Sequence, residues 1–189
     1  IRFDPSGTAT VLLGSKSQGQ GHETMFKQIA HARLGLAPED IRYIEGDTDK
    51  VAFGIGSFGS RTAAIGGSAL LVAADKVIAK GKRIAAHLLE ANEEDLEWSN
   101  GKFTVKGSPD RSKTIQDIAF AAYTNFPVGM EMGLEAVDYY DPPNFTYPFG
   151  SYICVVDIDR GTGEVKIRRF VAIDDCGNII NPMIVDGQI

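Results

Sequence analysis

Two glycine-rich loops constrain this sequence more than any other feature, because each lies between a predicted strand and a predicted helix. The first loop covers residues 14–21 and the second covers residues 46–60. β-Branched and aliphatic runs predict strands at 8–13 and 41–45, and apolar spacing predicts helices at 22–34 and from about 61 to 91. This order predicts crossover units whose two loops gather at one edge of a sheet.

The loops have the composition of an anion-binding site. A glycine-rich loop that begins a helix presents unpaired N–H groups and the positive end of the helix dipole, and glycine lets a ligand approach the backbone. Two such loops at one edge predict a phosphate or diphosphate ligand. Further hydroxyl or amide groups are available from Ser15, Ser17, Gln18, Gln20, Ser60 and Thr62. The alternative is that each loop serves only as a tight turn.

His22 directly follows the first loop, at the predicted start of a helix. A neutral imidazole there can donate a hydrogen bond to a phosphate or can simply cap the helix, and the sequence leaves both open. Residues 54–59 match the spacing GxGxxG, but they do not follow their strand directly, and Ala79 stands where a dinucleotide fingerprint needs an acidic residue. A Rossmann-like NAD(P)-binding domain is therefore the second hypothesis.

The rest of the chain predicts an α+β fold in which mixed sheets are joined by crossover helices. Asn100-Gly101 predicts a hairpin, and Ser112 or Thr114 is predicted to cap a short helix that continues to Tyr123. Further strands are predicted at 135–140, 151–159 and 164–173.

Glycines also predict interruptions and boundaries. The long helix is predicted to break near Gly66-Gly67 or Gly81.

We expect residues 1–125 to form a cofactor-binding lobe with both glycine loops. We expect residues 126–189 to form a strand-rich segment that downstream sequence completes. Because the chain begins at Ile1 and stops in mid-pattern, we expect it to be a piece of a longer polypeptide. Such a piece is expected to expose apolar surface and so to be able to self-associate.

Charge and cysteine content exclude several classes of protein. With 19 basic and 25 acidic residues, the net charge of −6 leaves no basic stripe for nucleic acid. The apolar runs are far shorter than the roughly 20 residues of a membrane span. Cys154 and Cys176 have no CxxC spacing and the three histidines form no metal-binding motif, so we expect no protein-ligated metal and a reducing, cytoplasmic setting.

Four segments taken together resemble a known family. They are Gln18 to Thr24, Gly46 to Asp49, Gly59 to Thr62 and Asp174 to Pro182. In this order they resemble the molybdenum-binding large subunit of the xanthine dehydrogenase and aldehyde oxidase family, closest to the aerobic carbon monoxide dehydrogenase type. The likeness covers nearly the whole chain.

The resemblance implies a molybdenum-dependent oxidoreductase that hydroxylates carbon monoxide, an aldehyde or an N-heterocycle. It implies molybdopterin cytosine dinucleotide as the molybdenum cofactor, with FAD and 2Fe-2S clusters on partner subunits or domains. A parent that has lost catalysis and keeps only a structural role is the third hypothesis.

The resemblance also implies which residues hold the cofactor. Gly19 and Gln20 match the loop that approaches the pterin, and the segment 59–62 matches a second pterin loop. The implied cofactor-binding residues are Gln18, Gly19, Gln20, Gly21, His22, Gly59, Ser60, Arg61 and Thr62. No catalytic residue or metal ligand is assigned within the chain, because the resemblance implies a substrate loop upstream and a general-base glutamate downstream. The resemblance therefore also implies that the chain is inactive by itself.

Overall fold

The computed structural model describes residues 1–189, which form two compact units, Ile1–Pro143 and Asn144–Ile189. The strands are β1 Arg2–Phe3, β2 Ala9–Leu13, β3 Ile41–Glu45, β4 Leu96–Ser99, β5 Lys102–Val105, β6 Ser108–Thr114, β7 Leu134–Glu135, β8 Phe149–Ile158 and β9 Val165–Asp175. The helices are α1 His22–Leu34, α2 Thr62–Leu89, α3 Ile115–Thr124 and α4 Pro182–Gln188. The predicted α+β class with mixed sheets is confirmed.

The first sheet of the first unit contains the crossover unit that positions the first glycine loop. Its strand order is β3-β2-β1-β7, and only β2 and β3 run parallel, with Val11 opposite Tyr43. Helix α1 connects these two strands. Helix α2 leads instead into an antiparallel sheet of β4, β5 and β6, so the second predicted crossover unit does not form.

Helix α1 has the bounds that the sequence predicts. Gly21 before it and Gly35 after it are both left-handed, and the N–H of Gly35 donates to the carbonyl of His31 at 2.8 Å. Because glycine adopts this conformation without steric cost, it ends the helix at Leu34. The buried face of α1 includes Phe26 and packs into the core of the unit.

Helix α2 is continuous over 28 residues, so the predicted break at its glycines is wrong. A Cβ atom at Gly66 would lie 3.0 Å from Cζ of Phe26, and one at Gly81 would lie 3.2 Å from the ring of Phe103. These glycines therefore permit close packing of aromatic side chains against the helix. The helix ends at Glu90, which is left-handed.

By length and composition alone, α2 is apolar enough to cross a membrane, a test that core helices of soluble proteins also pass. Eleven of its residues are buried, and it contacts α1, α3 and strands of both sheets. Its Asp75 and Lys76 form ion pairs with Arg33 and Asp138. Because these contacts lie within the unit, we interpret α2 as the core helix of this unit.

The hairpin and the short helix form as predicted. Asn100 and Gly101 have positive φ angles of 46° and 76°, which suit a tight hairpin between β4 and β5. Thr114 and Asp117 form a reciprocal capping box at the start of α3. Strand β6 was not predicted, because its polar residues show no apolar alternation and it lies at the edge of its sheet.

The strand predicted at 135–140 is shorter in the structure, since only Leu134 and Glu135 pair with β1. The N–H of Ala136 then donates to the carbonyl of Ile1 at 2.9 Å, and the following residues line a cavity instead of extending the sheet. The segment 126–143 therefore packs with the first unit, although we expected it to belong with the strand-rich segment.

The second unit is an antiparallel ribbon of β8 and β9 followed by α4. Asp159 accepts hydrogen bonds from the N–H groups of Gly161 and Thr162, at 2.7 and 2.9 Å, which fixes the predicted turn between the strands. Apolar side chains are exposed along both strands, including Ile153 and Phe170. Helix α4 was not predicted, and Asn181 caps it by accepting from the N–H of Ile184.

Candidate cofactor-binding site

The two glycine loops cross in direct backbone contact. The N–H of Gly56 donates to the carbonyl of Gly14 at 3.1 Å. A Cβ atom at Gly14 would lie 2.5 Å from the carbonyl oxygen of Phe53, and one at Gly54 would lie 2.4 Å from the carbonyl oxygen of Gly14. No side chain fits at either crossing glycine. The prediction that the two loops meet is confirmed.

Ser57 strengthens this crossing. Its hydroxyl accepts hydrogen bonds from the N–H of Lys16 at 3.2 Å and from the hydroxyl of Thr62 at 3.0 Å. One serine thus joins the first loop, the second loop and the first residue of α2. Ser57 was not among the predicted site residues, because a serine within a glycine loop has no distinguishing pattern.

Gln18 and Gln20 stabilise the first loop from within. Oε1 of Gln20 accepts from the N–H of Gln18 at 2.5 Å and from the hydroxyl of Ser17 at 3.4 Å, while its Nε2 donates to Oε1 of Gln18 at 3.3 Å. Gly19, with φ 107°, lies between them, and a Cβ atom there would meet no atom within 4 Å. The exposed side of this turn is therefore open to a ligand.

Glu45, at the end of β3, anchors the first loop. Its carboxylate accepts from the hydroxyl of Tyr43 at 2.7 Å, the N–H of Ser17 at 2.7 Å, Nδ1 of His22 at 3.1 Å and, at a longer 3.5 Å, the hydroxyl of Ser15. Burial raises the pKa of Glu45, but the hydrogen bonds from Tyr43, His22 and Ser17 outweigh it and hold the pKa below its ordinary value. Glu45 therefore stabilises the fold at neutral pH, and this contribution is lost as the pH falls through that lowered pKa.

Tyr43 belongs to the same network. Burial raises the pKa of Tyr43, and so does the neighbouring carboxylate of Glu45, so this hydroxyl stays protonated and donates. Its ring stacks on Phe26 at 5.8 Å between centroids. Neither Tyr43 nor Glu45 was among the predicted site residues. Their available signal was position, since the carboxyl end of a parallel strand is where α/β sheets place ligand-binding groups.

His22 is 3% exposed, and its ring meets Phe26 edge-on at 5.9 Å. Because Glu45 is ionised, Nδ1 of His22 carries the proton of their hydrogen bond. Nδ1 is therefore not available to a phosphate, and any further contact of the ring is made through Nε2. The expected contact between His22 and a phosphate stays a prediction.

The second loop has an unusual backbone just before α2. Gly59 and Ser60 both have positive φ angles, 61° and 53°. A left-handed serine is uncommon, and such strain is found where a backbone is shaped for a ligand. A Cβ atom at Gly59 would again meet open space. Arg61 lies over the ring of Phe58, 5.1 Å from its centroid, and forms no ion pair with a carboxylate.

The first turn of α2 has donors that the protein does not use. Arg61 precedes the helix without a side-chain cap, and no acidic residue lies in the first turn. The first intrahelical bond is donated by Ile65 to the carbonyl of Arg61, so the N–H groups of Thr62, Ala63 and Ala64 have no partner in the helix. With the cation of Arg61 beside them, these groups fit an anionic cofactor.

The predicted site residues divide between two depressions of the first unit. Arg61 and Thr62 line a cavity of about 320 Å³ together with Gly14, Gly54 and the segment 136–140. Gly21 and His22 line a shallower depression with Glu45 and Ser17. The other predicted site residues line neither depression and lie one or two residues along the chain from lining residues: Gln18, Gly19, Gln20, Gly59 and Ser60.

One ion pair links the segment 136–140, which lines the 320 Å³ cavity, to helix α2. Nζ of Lys76 lies 2.5 Å from Oδ2 of Asp138, and this lysine holds the pKa of Asp138 below its ordinary value. Tyr139 beside it meets Phe53 of the second loop edge-on at 6.0 Å. Aromatic rings and glycine backbone thus both line this cavity.

A sequence profile for the molybdopterin cofactor-binding domain matches residues 1–189. The chain belongs to this domain family. It is 55% identical over its whole length to the carbon monoxide dehydrogenase large chain of Hydrogenophaga pseudoflava, of which it covers 24%. It is 38% identical to the nicotine 6-hydroxylase large subunit of Paenarthrobacter nicotinovorans, again over the whole chain and 24% of that protein.

A solved structure agrees with these sequence comparisons. The crystal structure of a Cu,Mo-CO dehydrogenase superposes with a TM-score of 0.89 at 53% identity, covering all of this chain and 24% of that one. The molybdopterin cofactor-binding domain therefore spans about a quarter of the length of the curated relatives it matches.

The resemblance to the large subunits of the xanthine dehydrogenase family, and to the carbon monoxide dehydrogenase type among them, is confirmed. The Rossmann-like NAD(P)-binding alternative is not supported. The second glycine loop matches GxGxxG only in spacing, since the following helix leads into an antiparallel hairpin and not into a parallel strand.

Proposed function

We propose that this domain holds molybdopterin cytosine dinucleotide in the large subunit of a molybdenum hydroxylase. One observation carries the proposal: two glycine loops cross beside the N-terminus of α2. At this end of the helix, N–H groups have no partner and Arg61 has no ion pair. A dinucleotide contains a diphosphate, which is the kind of anion that such donors bind. When bound, this group supplies the molybdenum at which the substrate is hydroxylated with oxygen from water.

The residues of this chain bind and orient that group. We infer that the N–H groups of 62–64 and the guanidinium of Arg61 hold its anionic portion. Gly59 and Ser60 allow its close approach at the second loop. Gln18, Gly19, Gln20 and Gly21 form the turn that faces it at the first loop, and His22 contributes through Nε2, the ring nitrogen that does not bond to Glu45.

The whole protein is proposed to oxidise a small molecule and to pass electrons to partner subunits or domains with 2Fe-2S clusters and FAD. The 55% identity to a carbon monoxide dehydrogenase large chain, against 38% to a nicotine 6-hydroxylase large subunit, favours carbon monoxide over an N-heterocycle or an aldehyde. The free, exposed Cys154 and Cys176 support a reducing, cytoplasmic setting. We also propose that copies of this chain can associate with one another.

Cofactor content tests the proposal directly. We expect the full-length polypeptide that carries this domain, purified from cells that make the cofactor, to contain molybdenum and to release CMP in near-equal molar amounts. Metal analysis and chromatography of the acid-released nucleotide measure both. A folded full-length protein with neither component contradicts the proposal and favours the structural hypothesis.

Replacing Gln20 with alanine tests the first loop. The side chain of Gln20 makes three hydrogen bonds, all within its own loop, and two of them are exposed, so water replaces much of what its removal loses and the core stays intact. We expect CMP content to fall by about tenfold, with a loss of only about 0.5–1.5 kcal/mol in the free energy of unfolding of the cofactor-free protein. Gln116→Ala in α3 is the matched control. A loss of folded protein in Gln20→Ala would instead mark Gln20 as structural.

A further inference from the structure

Glu45 is the point at which three separate segments of the first unit meet. Its two carboxylate oxygens receive donors from the first glycine loop at Ser15 and Ser17, from the first residue of α1 at His22, and from β3 at Tyr43. The side chain is only 9% exposed. A largely buried carboxylate with four donors is held in one position, because these donors take the place of the hydrogen bonds that water would otherwise supply.

The first loop has few other attachments. The hydrogen bonds of Gln18 and Gln20 stay inside it, and its bonds to the second loop are those of Gly14 and Lys16 at its beginning. The second half of the loop is therefore attached to the sheet through the carboxylate of Glu45.

A role as a proton-accepting base does not fit this carboxylate. Tyr43, His22 and Ser15 all bond to Oε2 while Ser17 bonds to Oε1, so the carboxylate acts as an acceptor for four donors, and a proton on Oε2 would displace at least one of them. The same arrangement orients the imidazole, because Nδ1–H of His22 is bound to the carboxylate and only Nε2 is left for another partner.

We propose that Glu45 is a positioning residue that anchors the first glycine loop and orients His22 for the cofactor. This inference rests on the proposed function for the identity of the ligand. The anchoring itself concerns only residues of this chain.

The test compares Glu45→Gln with Glu23→Gln in the full-length protein. Glu23 is exposed on α1 and pairs with Lys27, so its substitution makes the same chemical change outside the network. The measurements are amide hydrogen exchange of the segment 14–22 in the cofactor-free protein, and CMP and molybdenum content after expression with the cofactor. In Glu45→Gln the amide NH₂ faces donors, so at least one hydrogen bond is lost.

In Glu45→Gln we expect exchange of the segment 14–22 to accelerate by about tenfold or more, with the exchange of α2 unchanged and cofactor content several-fold lower. Glu23→Gln is expected to match the unsubstituted protein. Unchanged exchange in Glu45→Gln overturns the proposal, and so does acceleration spread evenly over the whole first unit. A full-length protein without molybdenum and CMP contradicts the proposed function, whereas the exchange result still decides the role of Glu45.

If Glu45→Gln does not fold, a second pair of variants tests the same proposal. In His22→Asn the amide can donate to Glu45 in place of Nδ1–H, whereas His22→Leu has no donor. We expect the asparagine variant to keep the exchange protection of the segment 14–22 and the leucine variant to lose it. Equal protection in the two variants overturns the proposal.

Discussion

Replacing Gly54 with alanine is expected to abolish cofactor retention and to destabilise the first unit. The added Cβ atom would lie 2.4 Å from the carbonyl oxygen of Gly14, and this neighbour is backbone that no rotamer change can move. The two loops must therefore separate, which removes the 3.1 Å hydrogen bond between Gly56 and Gly14. We expect a loss of about 1–3 kcal/mol in the free energy of unfolding, in the range measured for overpacked sites.

Gly67→Ala is the matched control for this change. A Cβ atom at Gly67 would meet only Cδ1 of Ile29, at an ordinary contact distance of 3.5 Å. Because alanine favours the helix by roughly 0.5–1 kcal/mol over glycine, this variant should be as stable as the unsubstituted protein or more so. Denaturant unfolding and CMP content measure both variants. Equal behaviour of Gly54→Ala and Gly67→Ala would contradict the structural role of the crossing.

Replacing Ala63 with aspartate is expected to change stability and cofactor binding in opposite directions. Ala63 is exposed in the first turn of α2, where a carboxylate interacts favourably with the helix dipole by about 0.3–1 kcal/mol. The same carboxylate competes for the free N–H groups and repels an anionic cofactor. We therefore expect an unchanged or higher unfolding temperature of the cofactor-free protein, with CMP content reduced by at least about tenfold.

Ala79→Asp controls for the added charge. Ala79 is exposed in the same helix but far from its N-terminus, so aspartate there adds one negative charge without approaching the loops. Full cofactor content is expected in this variant. A normal CMP content in Ala63→Asp would show that the α2 N-terminus does not hold the anionic part of the cofactor.

Local sequence signals predicted the elements that depend on local physics. Gly35 ends α1 because it is left-handed, and Asn100-Gly101 forms its hairpin because both residues accept positive φ angles. Those constraints act within a few residues, so they can be read from the chain itself. The same is true of the capping box between Thr114 and Asp117.

Tertiary packing overruled the local signal in α2 and in β7. Gly66 and Gly81 look like interruptions, yet they are sites where Phe26 and Phe103 approach the helix. The extended segment after Glu135 continues past its sheet and forms a cavity wall, held by the ion pair of Asp138 with Lys76. Which partner lies opposite a residue is a long-range property that no local pattern contains.

The sequence by itself determined that this protein has two glycine loops at helix starts and a cofactor-binding domain around them. Only the tertiary structure decided how the loops are held. Gly14 and Gly54 are irreplaceable because the backbones of two distant segments touch there. Glu45 orients His22 because the parallel pairing of β2 and β3 brings the end of one strand beside the loop that follows the other. The physical reason is that loop chemistry is local, whereas the positions of loops are set by the packing of the elements between them.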